Sequence, residues 1–273
     1  MRQQLIIFAI LLVAMMTANI AQAQEDFPYP SVPAELTTPQ ERAEFLVRHY
    51  WDNINFQDTT LIHRGNMLEQ GFVNFIDLLP RLGSLEQVGI QQFAQQAIGK
   101  NETFDKYLKD LAERYLYTAS SPMRNDTLYC HLLAAINQLP TTGDTEKEQN
   151  LFLINSLNKN KVGSQATDFS YTDEQGKKHR ISDITIPYTL LYMYDPDCET
   201  CHEVEKEMNQ EPRLKDGSLI TIVRVNAMAR RELWQDYYFR SFPTIYLLDN
   251  QHRVVLKDAE IAQIVSFLAE HKR

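Results

Sequence analysis

The sequence predicts an all-α N-terminal domain followed by an α/β domain whose central mixed sheet is flanked by helices. From Glu35 to about Lys159, apolar side chains recur at helical spacing and strand patterns are absent. From Val162 onward, short apolar strands alternate with helical stretches. The polar run 158–161 separates the two patterns. We therefore predict a signal peptide at residues 1–23, a helical domain at 24–160 and an α/β domain at 161–273.

The first 23 residues have the pattern of a secretory signal peptide. Arg2 supplies the positive start, Leu5 to Met16 form an apolar run, and Ala21-Gln22-Ala23 is a cleavage site of the A-x-A type. The apolar run is shorter than the roughly 20 residues that a membrane span needs, although an uncleaved anchor remains an alternative. The pattern predicts export to the bacterial periplasm, where disulfide chemistry is possible.

Charge and cysteine content narrow the classes of function. The formal net charge is −9 and the sequence has no basic cluster, which argues against binding to nucleic acid or to an anionic membrane surface. Only three cysteines are present, which is too few for a scaffold held together by disulfides. A hydrophobic core must therefore supply most of the stability.

The helical domain contains no catalytic constellation. Cys130 is predicted to be a buried free cysteine that acts as a small apolar residue, and a third redox thiol is the alternative. Residues 24–34 carry three prolines and are predicted to be an extended leader. The predicted helices are Pro39–Asn53, Asn66–Leu79, Ser84–Ile98, Asn101–Tyr117, Thr127–Leu139 and Glu146–Leu157.

The elements of the second domain follow in a regular order. The sequence predicts a hairpin turning at Asp173–Gly176, and then a buried strand over Thr189–Tyr194. Asp258 is predicted to cap the last helix, in which Ile261, Ile264, Val265 and Leu268 share one face. The other predicted elements are a helix after Cys201, a strand over Ser218–Val225, a helix over Arg230–Tyr238, and strands over Thr244–Leu248 and Arg253–Leu256.

Cys198 and Cys201 lie where the buried strand passes into a helix. The first helical turn has unpaired N–H groups and partial positive charge, which stabilise a thiolate. Two cysteines separated by two residues can reach disulfide geometry across one turn. We predict Cys198 as the exposed nucleophile and Cys201 as the buried resolving thiol, joined by a disulfide in the oxidised form.

A second motif downstream indicates the family. Arg240-Ser241-Phe242-Pro243-Thr244 opens an apolar strand, and Pro243 lies 45 residues after Cys198. Together with the order of elements, this resembles the thioredoxin family over about Val162 to Arg273. The resemblance implies a cis bond before Pro243 and a substrate backbone that pairs beside Phe242 and Pro243. It also implies a thiol–disulfide oxidoreductase that acts on proteins and receives electrons from a membrane donor.

Two further resemblances concern the predicted hairpin and the helical domain. The predicted hairpin is similar to the N-terminal hairpin of the peroxiredoxin-like and cytochrome-maturation branches of the superfamily. The helical part resembles a domain of unknown function that precedes thioredoxin-like modules in some secreted Gram-negative proteins, which implies no activity.

Several residues depart from the thioredoxin pattern. Asp197 replaces the usual tryptophan, Glu199-Thr200 replace Gly-Pro, and the position of the usual buried acid falls at or near Tyr192. Asp195, Asp197 and Glu199 place negative charge around Cys198, which disfavours a thiolate. The helix dipole and a protonated His202 act in the opposite direction. This balance predicts a reducing or isomerase-like couple.

Three other functions use the same residues. Cys198 to His202 also form a C-x-x-C-H haem c attachment motif, and the same three side chains are soft metal ligands. A thioredoxin fold can also lose catalysis and keep a peptide groove, in which case the helical domain would carry the function. A peroxidase is disfavoured because Asp195 and Leu191 occupy the threonine and proline positions of the peroxiredoxin motif. We predict no cofactor and no metal.

Overall fold

The structure is a computed structural model that describes residues 26–173 and 176–271. The predicted signal peptide lies outside this range. Within the described residues, no helix has the length and apolarity needed to cross a membrane. The chain divides between Tyr115 and Leu116 into two compact units. The domain boundary predicted at residue 160 stays a prediction.

The first unit is helical, as predicted. Thr38 caps the first helix, α1 (Pro39–His49), and its side chain accepts a hydrogen bond from the backbone N–H of Glu41 in a capping box. The segment predicted to be extended before the first helix packs into this unit, because Phe27 is buried with its ring centroid 5.3 Å from that of Trp51. The helices are α1 (Pro39–His49), α2 (Met67–Leu78), α3 (Leu85–Ala97) and α4 (Glu102–Ala112).

The second unit contains four more α-helices and all strands of the described chain. A hairpin, β1 and β2, precedes the four-stranded sheet. The elements are α5 (Asp126–Asn137), α6 (Asp144–Leu157), β1 (Ser170–Thr172), β2 (Lys178–Arg180), β3 (Tyr188–Tyr194), α7 (Glu199–Gln210), β4 (Ile220–Asn226), β5 (Thr244–Asp249), β6 (Val254–Lys257) and α8 (Ile261–Glu270). The predicted combination of a helical N-terminal part with a C-terminal α/β domain is confirmed.

The sheet has the strand order β4-β3-β5-β6 and is mixed. β3 runs parallel to β4 and antiparallel to β5, while β5 and β6 form an antiparallel pair. Alternate residues of β3 point to opposite faces, so Leu190 and Tyr192 pack with α7 and α8. Leu191 and Met193 pack on the other face with Phe169 and other core residues. The central strand is thus buried on both sides, as its continuous apolar sequence predicted.

The predicted helix over Arg230–Tyr238 is wrong. Only a 3₁₀ turn forms, over Arg231–Gln235. Tyr237 explains the early end, because its ring is fully buried and its hydroxyl donates to the carbonyl of Thr167 at 2.6 Å. A helix continued through Tyr238 would carry Tyr237 away from that position.

The predicted cap of the last helix is also wrong. Glu260 is the N-cap of α8, and its backbone N–H donates to the side chain of Gln263 at 2.9 Å. Asp258 instead has a positive φ of 50°. An N-cap needs extended backbone, whereas aspartate is among the residues that tolerate the left-handed region. Asp258 is turned inward, where Arg124 lies 3.9 Å from its carboxylate.

Candidate functional site

Cys198 lies just beyond the carboxyl end of β3, the central strand. The segment between Tyr194 and Cys198 forms a tight turn, in which the N–H of Cys198 donates to the carbonyl of Asp195 at 3.2 Å. Cys198 is the N-cap of α7, and its Sγ accepts the backbone N–H of Cys201 at 3.2 Å. The first helical turn therefore donates a hydrogen bond directly to this sulfur, which stabilises negative charge on it.

The two thiols differ in exposure. Cys198 is partly buried, whereas Cys201 is only 1% exposed and belongs to the core between the sheet and α7. Burial raises the pKa of the Cys201 thiol to about 12, and its contact with the Cys198 thiol acts in the same direction. Cys201 is therefore a neutral thiol at physiological pH. All three cysteines of the chain are free thiols in this structure.

The segment before β5 lies against the nucleophile. The Phe242–Pro243 peptide bond is cis, and the Cys198 thiol donates to the carbonyl of Phe242 at 3.6 Å. The Thr244 hydroxyl donates to the Ser241 carbonyl at 2.6 Å. The structure thus brings the 198–201 motif and the 240–244 motif into contact.

The other predicted site residues surround this pair. Asp197, Glu199, Thr200 and His202 are all exposed. Thr200 also lines a groove together with Phe242 and Pro243, which is described below. Within the described residues, no group of three or more His, Cys, Asp or Glu side chains could hold a metal ion.

Tyr192 occupies the region of the buried acid that thioredoxins use. Its side chain is 1% exposed, and its hydroxyl donates to the backbone carbonyl of Cys201 at 2.6 Å. Burial raises the pKa of Tyr192 well above its ordinary value, so the hydroxyl stays protonated. The tyrosine therefore anchors the backbone of the first turn of α7. A hydrogen-bond donor with a fixed partner therefore lies in the region where thioredoxins have a proton acceptor.

A buried ion pair supports the cis-proline segment. Arg240 has a side chain that is 6% exposed, and it pairs with Asp126 at 2.8 Å. Its guanidinium also donates to the carbonyl of Tyr117 at 2.5 Å and lies over the Tyr117 ring, 4.3 Å from the centroid. This pair was not predicted from the sequence, although a charged residue in a run of apolar and aromatic residues is a signal for a buried, paired charge.

Aromatic side chains form a cluster that begins at the site. The ring centroids of Phe242 and Phe239 are 5.5 Å apart, and those of Phe239 and Trp234 are 5.2 Å apart. Trp234 is 44% exposed. An indole thus lies near the redox pair, although the usual tryptophan position is Asp197.

The buried Cys201 thiol is expected to resist an alkylating reagent at a pH where the partly buried Cys198 reacts. The thiolate is the reactive form, and burial raises the pKa of Cys130 to about 11 and that of Cys201 to about 12. Mass spectrometry after treatment of the reduced native protein with iodoacetamide at pH 8 should find label on Cys198. Label on Cys201 should rise only as the pH approaches its pKa. Equal labelling of Cys198 and Cys201 at pH 8 would contradict the burial argument, and denatured protein is the positive control.

Known proteins match both parts of the chain. Residues 13–160 match DUF5106, a domain of unknown function. The chain belongs to this family. No curated protein matches. A thioredoxin-like protein from Bacteroides caccae is 28% identical, with a TM-score of 0.76, and the match covers 91% of this chain and 99% of that one.

Shorter structures match over less of this chain. The thioredoxin domain of a thiol-disulfide oxidoreductase from Bacteroides vulgatus is 17% identical, covering 40% of this chain and 96% of its own, with a TM-score of 0.32. A C-terminal domain from Bacteroides fragilis is 24% identical, covering 41% of this chain and 99% of its own, with a TM-score of 0.34. The assignment of the fold depends on the B. caccae protein, which matches over most of the chain. The C-terminal fold of this DUF5106 protein is thioredoxin-like, as its motifs predicted.

Proposed function

We propose that this DUF5106 protein is a periplasmic thiol–disulfide oxidoreductase that reduces or exchanges disulfides in protein substrates. The observation that carries the proposal is the position of Cys198. Its sulfur accepts a hydrogen bond from the first turn of α7 and contacts the carbonyl of Phe242. The periplasmic location rests on the signal-peptide pattern of residues 1–23.

In the first proposed step, the Cys198 thiolate attacks one sulfur of a substrate disulfide. A bond forms between Cys198 Sγ and that sulfur, the substrate S–S bond breaks, and the second substrate sulfur leaves as a thiolate. The backbone around Phe242 and Pro243 pairs with the substrate and holds its disulfide in line with Cys198. The N–H of Cys201 stabilises charge on the Cys198 sulfur before the attack and when it leaves.

In the second step, Cys201 gives up its proton and attacks Cys198 Sγ. The Cys198–Cys201 disulfide forms, the mixed disulfide breaks, and the first substrate sulfur leaves as a thiol. The substrate has gained two electrons and the cysteine pair has lost two. A dithiol donor, which we propose to be a membrane protein, returns the pair to the reduced form by the same two exchanges.

The acidic residues around Cys198 support a reducing couple. Asp197 and Glu199 are exposed beside the sulfur, and Asp195 makes the turn before it. Negative charge acts against the stabilisation that the first turn of α7 gives the sulfur, and a less stabilised reduced form lowers the potential. We therefore propose reduction or isomerisation of disulfides as the physiological direction.

The test is the reduction potential of the pair, measured by equilibration with dithiothreitol and glutathione series. A single two-electron couple is expected, nearer to the thioredoxin value of about −270 mV than to the value of about −120 mV of strong periplasmic oxidants. Cys198→Ser should abolish the couple, whereas Cys130→Ser should leave it intact. A value near that of the strong oxidants would reverse the proposed direction, and no reversible couple would refute catalysis.

A further inference from the structure

A groove of about 400 Å³ opens beside the redox pair. It lies between α7, the cis-proline segment and the start of α8. Its apolar lining comes from Val204, Phe242, Pro243, Ile245 and Ile261. Because Phe242 lines the groove and its carbonyl contacts Cys198, a chain that presents a disulfide to Cys198 would place the residues next to its cysteine in this groove.

The rim of the groove is acidic. Glu207 of α7 and Glu260 at the start of α8 line it, and both are exposed. Asp258 lies deeper and is turned toward Arg124. Among the described residues that line the groove, none is a lysine or an arginine. The groove therefore offers an apolar surface with exposed negative charge at its edge.

One wall of the groove comes from outside the thioredoxin-like sequence. Ala119 and Ser120, in the segment before α5, also line it. The buried pair of Arg240 and Asp126 holds this segment, since Arg240 also donates to the carbonyl of Tyr117. The wall is thus attached to the same segment that carries Pro243.

We propose that this groove selects substrates with a basic segment next to the reactive cysteine. An apolar side chain of an extended polypeptide packs on Val204 and Ile261, and a neighbouring lysine or arginine pairs with Glu207 and Glu260. Charge complementarity identifies the occupant, because an acidic segment would meet repulsion at the same rim. The inference rests on the proposed function, whose site it extends to substrate choice.

The test compares two fluorescent peptides in binding to the full reduced protein. Both have serine in place of the reactive cysteine and the same leucine beside it, and they differ only in carrying two lysines or two glutamates. We expect the lysine peptide to bind about tenfold more tightly at low salt. At 1 M salt the Debye length falls to about 3 Å, and the preference should largely disappear.

The variants locate the effect. Glu207→Gln combined with Glu260→Gln removes both charges, and the substitution keeps the backbone N–H of position 260 that donates to the Gln263 side chain. The preference of this double variant should fall to less than about twofold. Glu148→Gln removes an exposed glutamate of α6 outside the groove and should keep the full preference. A preference that is absent from the wild type, or that survives in the double variant, would overturn the proposal.

Turnover separates this proposal from the proposed function. Reduction of bis(2-hydroxyethyl) disulfide, a small uncharged substrate, reports on the cysteine pair alone. If the protein reduces it but does not distinguish the two peptides, the groove proposal fails and the proposed function stands. If it reduces no disulfide, the proposed function fails, and the serine peptides still decide whether the groove binds basic segments.

Discussion

Cys201→Ser is expected to stop the reaction after its first step and to trap the substrate on Cys198. Cys201 is the buried partner whose N–H already contacts the Cys198 sulfur, so it is positioned to attack that sulfur once a mixed disulfide forms. Without it, release depends on a thiol from solution, and the advantage of an intramolecular reaction is lost. Turnover at low thiol concentration should fall by at least about 10³-fold.

Non-reducing electrophoresis and intact mass would detect the trapped species, which should carry one substrate per chain and disappear on treatment with dithiothreitol. The matched control is Cys130→Ser, because Cys130 is a half-buried thiol that lines a different cleft, with Arg124 and Lys257. It should turn over normally and trap nothing. Trapping that persists in a Cys198→Ser, Cys201→Ser double variant would assign the nucleophile to Cys130 and refute the mechanism.

Asp126→Asn is expected to lower the free energy of unfolding by about 3 kcal/mol, because it leaves the charge of Arg240 buried without its carboxylate. The Arg240 side chain is 6% exposed and that of Asp126 is 23% exposed, so water compensates only part of the loss. We place the effect at the low end of the range for broken buried pairs because asparagine keeps an oxygen acceptor. Chemical denaturation monitored by fluorescence would measure it.

Asp77→Asn is the matched control for this prediction. Asp77 pairs with Arg81 at 2.8 Å, but the two side chains are 54% and 69% exposed. Exposed pairs of this kind contribute less than about 1 kcal/mol, so this variant should unfold close to the wild type. Equal losses in the two variants would mean that burial of Arg240 does not set the energy of its pair.

Asp126→Asn also tests whether the segment that carries Tyr117 and Asp126 supports the cis-proline segment beside Cys198. Arg240 lies three residues before Pro243 and holds the Tyr117 carbonyl. If the ion pair fixes the cis-proline segment, Asp126→Asn should weaken binding of the lysine peptide under conditions where the protein remains folded. Its reduction potential should change little, because the contacts of Cys198 with Cys201 are made within α7.

The sequence by itself determined the elements that carry the redox pair. The apolar run Thr189–Tyr194, the break at Asp195-Pro196-Asp197 and the helical pattern after Cys201 each depend on neighbouring residues, so local preference and periodicity predict them. The pairing of Cys198 with Pro243 came from spacing within a known family.

Only the tertiary structure decided the features that depend on distant side chains. Arg240 and Asp126 are 114 residues apart, and neither shows in sequence that it neutralises the other. The early end of the turn before Tyr237 follows from where Thr167 lies, and the left-handed Asp258 follows from its buried surroundings. Local propensity is worth only a fraction of a kcal/mol per residue, so burial and pairing overrule it where the chain packs against itself.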